Sequence, residues 1–267
     1  MNESTGTSDA IAEREDALRR WFVRDCDPIR AEIDGLDIGW GGVQRWITSV
    51  LPLEACRRHL DFACGYATFI AQLAWRFPRL RIVGLNIDFE GPHALAEELV
   101  AQAGATDRCE FVRADARRMP FADGSFDSAS CFLGLQDIEI GFGEAGVREA
   151  LEQATRVLKP AGILTVADEF PLKRLRDLLD PLPFAVICVD ERELDVRWNR
   201  EVAERAIELY ADGWEAQVRS GDPAEKANAR AEALARMREE LERQLADRGV
   251  YVPFGPIRLA IARRTIV

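Results

Sequence analysis

The stretch His59-Leu60-Asp61-Phe62-Ala63-Cys64-Gly65-Tyr66-Ala67-Thr68-Phe69 decides how this chain is read. Leu60 and Phe62 belong to an apolar segment short enough for a buried strand. Asp61 falls near the strand's end, where a carboxylate can face a ligand. Gly65 permits a tight turn and a close approach to the backbone. From Ala67 to Phe77 apolar residues recur at helical spacing, so a helix begins just beyond the turn. Strand, turn and helix N-terminus in succession leave several N–H groups unpaired around one polar pocket. A dinucleotide site requires G-x-G-x-x-G here; Ala63, Gly65 and Thr68 occupy those positions, which argues against a pyrophosphate cradle.

Downstream, Leu80 to Asp88 is a near-continuous apolar run ending in polar residues, as expected of a central parallel strand. Pro92 to Gly104 reads as a helix closed by Gly104. Glu110 to Asp127 opens with a strand (Phe111, Val112) that delivers Asp115 and Ala116 to its C-terminal end. A carboxylate there can accept from an exocyclic amine while the next backbone N–H donates to a ring nitrogen. Ser128 to Leu135 is a small, apolar strand that carries Phe132, and Glu144 to Leu158 is a helix. The next strand, from Ile163, ends in Asp168 and Glu169. Open α/β sheets bind ligands at that carboxyl edge, so Asp168 is the first choice for a catalytic or substrate-binding carboxylate.

A short helix from Lys173 to Leu182 and a strand from Phe184 to Asp190 come next. Val196 to Arg219 is amphipathic, with Trp198, Val202, Ala206, Leu209, Tyr210 and Trp214 forming its apolar stripe. Asp222-Pro223-Ala224-Glu225 starts a second helix, with Asp as cap and Pro in the first turn. That helix ends at Gly249. Pro256 to Arg263 is a last strand. At the other end, Met1 to Ala12 reads as a frayed polar tail and Glu13 to Asp27 as an amphipathic helix. The Gly39-Trp40-Gly41-Gly42 loop precedes a helix reaching Leu51, and Trp40 either closes over a ligand or pins the loop to the core.

With 267 residues and 48% hydrophobic content, the chain can fill one large α/β domain or a domain plus a cap. A net charge of −11 disfavours nucleic acid, whose phosphates need a clustered basic surface. No apolar run has membrane-spanning length and no secretory leader is evident, so a cytoplasmic protein is expected. The six cysteines are scattered and the two histidines, His59 and His93, are isolated, so no metal site is expected.

The segment D-F-A-C-G-Y-A resembles the first motif of class I S-adenosylmethionine-dependent methyltransferases, an acidic residue followed by G-C-G-x-G, with Ala63 and Ala67 replacing two glycines. Met119-Pro-Phe-Ala-Asp-Gly-Ser-Phe-Asp127 resembles the same family's L-P-F-x-D-x-S-F-D run. Arg156-Val-Leu-Lys-Pro-Ala-Gly162 resembles its R-V-L-K-P-G-G, with Ala161 for one glycine. The resemblance is strong over His59 to Phe170 and extends to layout alone in the C-terminal third. It implies a doubly wound, seven-stranded Rossmann-like sheet, with N-terminal helices and a helical insertion before the last strand. The corresponding division is a tail and helical lid over 1–50, a cofactor-binding core over 51–190, a helical cap over 191–250 and a final core strand over 251–267.

It also implies S-adenosylmethionine as cofactor, held by Asp61, Ala63, Gly65, Asn86, Ile87, Asp115, Ala116, Phe132 and Trp40. Asn86 stands where the family usually has an acid for the ribose, which leaves Asn86 and Asp88 both open for that role. Where related enzymes follow strand four with histidines, this chain has Gln136-Asp137, which makes Asp137 a second candidate base beside Asp168. The implied activity is methyl transfer to an O, N or C nucleophile of a small molecule, by a monomer or homodimer. Two other readings stay open: a cofactor-binding protein without transfer activity, and a scaffold whose C-terminal helices bind a protein partner.

Overall fold

The computed structural model describes residues 8–89, 94–218 and 222–266. Among these residues, seven strands form one sheet in the order β3-β2-β1-β4-β5-β7-β6. They are β1 (Arg58–Phe62), β2 (Arg81–Asn86), β3 (Cys109–Arg113), β4 (Phe126–Phe132), β5 (Leu158–Asp168), β6 (Phe184–Arg192) and β7 (Ile257–Arg264). The first five are parallel, and β7 runs antiparallel between β5 and β6. Three helices come first: α1 (Ser8–Phe22), α2 (Pro28–Asp34) and α3 (Val43–Val50). The crossovers are α4 (Thr68–Arg76), α5 (Ala96–Gln102), α6 (Gly134–Val157) and α7 (Leu172–Leu179), and α8 (Arg200–Gln217) and α9 (Pro223–Arg248) stand between β6 and β7. This is the doubly wound architecture that the motif order implies.

Both faces of the sheet are covered, which is why its central strands read as unbroken apolar runs. Leu60 and Phe62 pack with Val147, Leu151, Leu175 and Leu178 of α6 and α7. On the other face Ile47, Ile70 and Ile207 bring α3, α4 and α8 into one cluster. Each such fully buried aliphatic or aromatic side chain stabilises the fold by about 1.5–3 kcal/mol. α9 begins as its sequence indicates, with the Asp222 carboxylate accepting from Ala224 N at 2.8 Å, and it ends at Gly249 in a left-handed conformation (φ 73°).

Several boundaries differ from the sequence reading. α1 starts at Ser8, so the expected tail is helical from there, and residues 1–7 lie outside the described residues, as do Pro92, His93 and Arg219. Glu15, a charged residue of that helix, is 1% exposed. It accepts from Arg45 at 3.0 Å and from Gln72 at 2.7 Å, which ties α1 to α3 and α4. The largest difference is α6. It begins at Gly134, ten residues before the expected start, and bends at Gly143 (φ 69°, ψ −176°). Asp137 therefore stands in the first turn of a helix and not on a loop.

The three alanines that stand where the resembled motifs have glycine all adopt left-handed backbone: Ala63 (φ 59°), Ala67 (φ 65°) and Ala161 (φ 62°). A Cβ in that region costs about 1–2 kcal/mol, partly offset because glycine loses about 0.5–1 kcal/mol more entropy on folding. Ala161→Gly, far from the strand tips, should raise unfolding free energy by ~0.5–1 kcal/mol in urea titration. A loss of stability would show that Ala161 is not strained.

Candidate functional site

The parallel register lines up the C-terminal tips of five strands. Phe62 pairs with Leu85, Asn86 with Arg113 and Phe132 with Ala167, so the residues that follow share one edge. The glycine turn is stitched to its neighbour by Cys64 N donating to Leu85 O at 3.1 Å, and it closes on itself through Ala67 N to Cys64 O at 2.8 Å. Ala63, Gly65 (φ 51°) and Ala67 alternate through left-handed backbone. A Cβ at Gly134 would lie 2.5 Å from that of Ala63, so a glycine at the start of α6 is what admits an alanine into the turn. Among the described residues, no side chain caps the N-terminus of α4. Its first N–H groups therefore stand at the turn, the arrangement that attracts a carboxylate.

Asn86 is buried at the end of β2, and its Oδ1 accepts from Ile87 N at 2.9 Å. Ile87 and Asp88 are exposed beyond it. Its carbonyl accepts from Ala114 N at 2.9 Å, which brings the tip of β3 alongside. There Asp115 accepts from Arg117 N at 2.9 Å and from the guanidinium at 2.6–3.1 Å, so it also caps the short 3-10 turn 116–118. Burial works against ionisation, but the hydrogen bonds and charge of Arg117 prevail and hold the acid below the usual carboxylate range. Asp61 is buried on the face of β1 opposite to Phe62 and accepts from Ser130 Oγ. Burial pushes its carboxyl up to about 7, with the Ser130 hydrogen bond opposing.

Asp168 does not occupy the position that its sequence context suggests. It is 0% exposed. Its Oδ2 accepts from Leu135 N at 3.2 Å and Gln136 N at 3.4 Å, and its Oδ1 from Glu169 N at 2.9 Å. The carboxylate thus anchors the N-terminus of α6, where a negative charge is favoured. The acid that reaches open space is the next residue, Glu169, which accepts from Gly255 N at 2.9 Å and lines a cavity together with Asp137. Burial raises Glu169 above its ordinary range, against the pull of the Gly255 N–H and of Arg258 and Arg236.

That cavity measures about 730 Å³ and lies between the tips of β4 and β5 and the inserted helices. Trp40, Leu133 and Gln136 form the core side; Tyr210, Trp214, Tyr251 and Phe254 form the other. The Trp40 ring sits 4.8 Å from Phe254 and 5.9 Å from Phe132, which stacks on Phe69 of α4 at 5.3 Å. Tyr210 continues the row at 5.3 Å from Phe254. Trp40 is therefore both pinned and exposed to the cavity. The sequence alone casts Tyr210 and Trp214 as packing; the signal it offers otherwise is that their stripe carries three large aromatics where aliphatics would fill a core as well. Tyr251 and Phe254, in a loop before β7, carry no local signal at all.

Burial raises Asp168 to about 7, Asp137 adds to this, and the N–H groups of Gln136 and Glu169 oppose it. A folded carboxyl that holds its proton more tightly than the unfolded one contributes stability that is full below pH ~4 and lost as pH rises through about 7. Asp168→Asn, which keeps one acceptor, should cost ~1–3 kcal/mol and remove one proton's worth of that decline. Urea unfolding at pH 5 and pH 7.5 measures both, and an unchanged slope would show that Asp168 titrates as an ordinary acid.

Comparison with known proteins centres on the same segment. A family model described as a methyltransferase domain matches residues 60–166. The demethylmenaquinone methyltransferase of Deinococcus radiodurans is 35% identical over 142 residues, 51% of this chain and 52% of that protein. The ubiquinone/menaquinone biosynthesis C-methyltransferase UbiE of Paracoccus denitrificans is 32% identical over 160 residues, 57% of this chain and 61% of that protein. The chain thus spans about half to three-fifths of these curated relatives. Among solved structures, the BH2331 protein of Bacillus halodurans superposes with a TM-score of 0.58 at 16% identity, covering 85% of this chain and 100% of that one. The cyclase SpnF superposes with a TM-score of 0.56 at 18% identity, covering 85% and 81%. At such identities the structural likeness is one of fold.

Proposed function

We propose, from the match of residues 60–166 to the methyltransferase-domain family model, that this chain is an S-adenosylmethionine-dependent methyltransferase acting on a planar, ring-bearing small molecule. The observation that carries the acceptor half of this reading is the aromatic-walled cavity at the tips of β4 and β5, beside the glycine turn. Its volume and mixed lining suit a small-molecule site. The names of the relatives, which refer to demethylmenaquinone and to a C-methyltransferase, support the same acceptor class. A scaffold reading leaves this cavity without a purpose.

The residues at the tips of β1 to β3 fit the cofactor. The uncapped start of α4 suits its carboxylate and Asp61 its ammonium. Asn86 and Ile87 would hold the ribose, and Asp115 with Ala116 N–H the adenine. Asp115 keeps acceptor capacity beside Arg117, because a carboxylate offers about four lone-pair sites. Phe132 and Trp40 would wall the side toward the acceptor. When bound, the cofactor supplies an electrophilic methyl group on a sulfonium.

The chain's own part is positioning. Holding two reactants in line can lower a barrier by roughly 7–11 kcal/mol. Trp40, Tyr210 and Phe254 clamp a flat acceptor and exclude water. Glu169 accepts the proton that the nucleophile releases; its Oε1 is fixed by Gly255 N, and burial raises its basicity. Asp137, on the same wall, orients the acceptor. Asp168 acts at one remove, by fixing the start of α6 that carries Gln136 and Asp137.

Isothermal titration should show saturable binding of both S-adenosylmethionine and S-adenosylhomocysteine, and no heat from either would overturn this reading. Asp115→Ala should weaken binding by ~1.5–3 kcal/mol, the worth of a charged hydrogen bond; unaltered affinity would mean that the adenine lies elsewhere. Glu169→Gln should slow turnover on a responsive aromatic acceptor by about 10²-fold or more, with the affinity for S-adenosylhomocysteine unchanged. Full activity would remove Glu169 from the proton transfer.

A further inference from the structure

A hydrogen-bonded row crosses the sheet directly behind the glycine turn. β1 and β4 pair so that His59 lies beside Ser128 and Asp61 beside Ser130. All four side chains are buried, with His59, Ser128 and Ser130 at 0% exposure. His59 Nδ1 is 2.8 Å from Ser128 Oγ, and its Nε2 is 2.8 Å from Ser130 Oγ. Ser130 Oγ in turn donates to Asp61 Oδ1. A serine hydroxyl has one proton to give. Because Ser130 gives its proton to Asp61, it accepts from His59, so Nε2 carries the ring hydrogen and Nδ1 accepts from Ser128. Ionisation of Asp61 thus fixes the direction of every link.

Ser130 is the side chain seen to support Asp61 among the described residues, and Thr165 of β5 lies in register on the far side of Ser130. Among the described residues, the titratable groups near the row include three thiols, Cys64 from the turn, Cys131 from β4 and Cys56, which is hydrogen-bonded to Ser128, and burial raises all three. β2 presents Gly84 beside it. His59 is neutral, since burial lowers it to about 3. Asp168 lies beyond Cys131 and acts on that thiol.

We propose that His59 and Ser130 are positioning residues, which orient the Asp61 carboxylate and stabilise its ionised form for the amine end of the bound cofactor. The inference rests on the cofactor site proposed above. A donor to the charged form of an acid lowers its pKa, so removing that donor moves the titration upward.

The test is the titration of the Asp61 carboxyl carbon by NMR, beside calorimetry with S-adenosylhomocysteine between pH 6 and 9. Ser130→Ala should raise the Asp61 midpoint by about one to two pH units. Its affinity at neutral pH should fall about tenfold. His59→Leu should move both in the same direction, whereas His59→Gln, whose amide can still donate to Ser130, should stay close to the parent. Asp61→Asn should bind weakly with no pH dependence. Should Ser130→Ala fail to fold, Ser130→Cys, a weak donor, should give the same upward shift. A folded Ser130→Ala or Ser130→Cys protein with an unmoved midpoint would overturn the relay. Absence of binding by the parent at every pH would overturn the cofactor site instead, and the NMR midpoints would still decide the relay.

Discussion

The parallel pairing of β1 between β2 and β4 is the constraint from which the rest of this molecule follows. Parallel strands need crossovers, and the crossovers become the helices that bury both faces of the sheet. Because all five parallel strands run the same way, every chain reversal after them occurs at one edge. Polar residues released at those reversals have nowhere else to gather. Period-two alternation does the remainder: Phe62 and Leu60 enter the core on one face, and His59 and Asp61 enter on the other.

Much of this is legible in the chain itself. Strand tips at Asp61, Asn86 and Asp115 announce themselves, because an apolar run seldom stops in an acid or amide unless the chain there meets solvent or a polar partner. The start of α9 at Asp222 is equally plain, since cap and proline act within one turn. The start of α6 is hidden: Gly134, Gly141 and Gly143 look like loop residues, yet α6 tolerates the first two and bends at the third. Asp168 misleads for a related reason. A strand-end acid that reaches a ligand and one that turns inward to hold the next helix have the same local sequence, and only the neighbouring strand's tip decides between them.

The cavity is the least legible part. Its walls come from residues near positions 40, 137, 169, 210 and 254, brought together by tertiary packing alone. No period or spacing links them. The alanines that stand where the resembled motifs have glycine, by contrast, are visible as departures and mark strain: each stands at a left-handed position. At Ala63 the strain is shared with Gly134, whose missing side chain makes room. Two residues distant in sequence thus share one space, and the methyl group in it belongs to Ala63.

The Glu15 cluster has a consequence for how the protein can be cut. A side chain at Gly39 would press within 2.3–2.6 Å of the Glu15 carboxylate, so the loop bearing Trp40 is moulded against a helix from the chain's beginning. Arg45 and Gln72 close the same knot. A fragment trimmed to the first strand would keep a sheet and forfeit its roof, leaving Gln72 bare in the interior. The leading helix is a keystone set before the arch it holds.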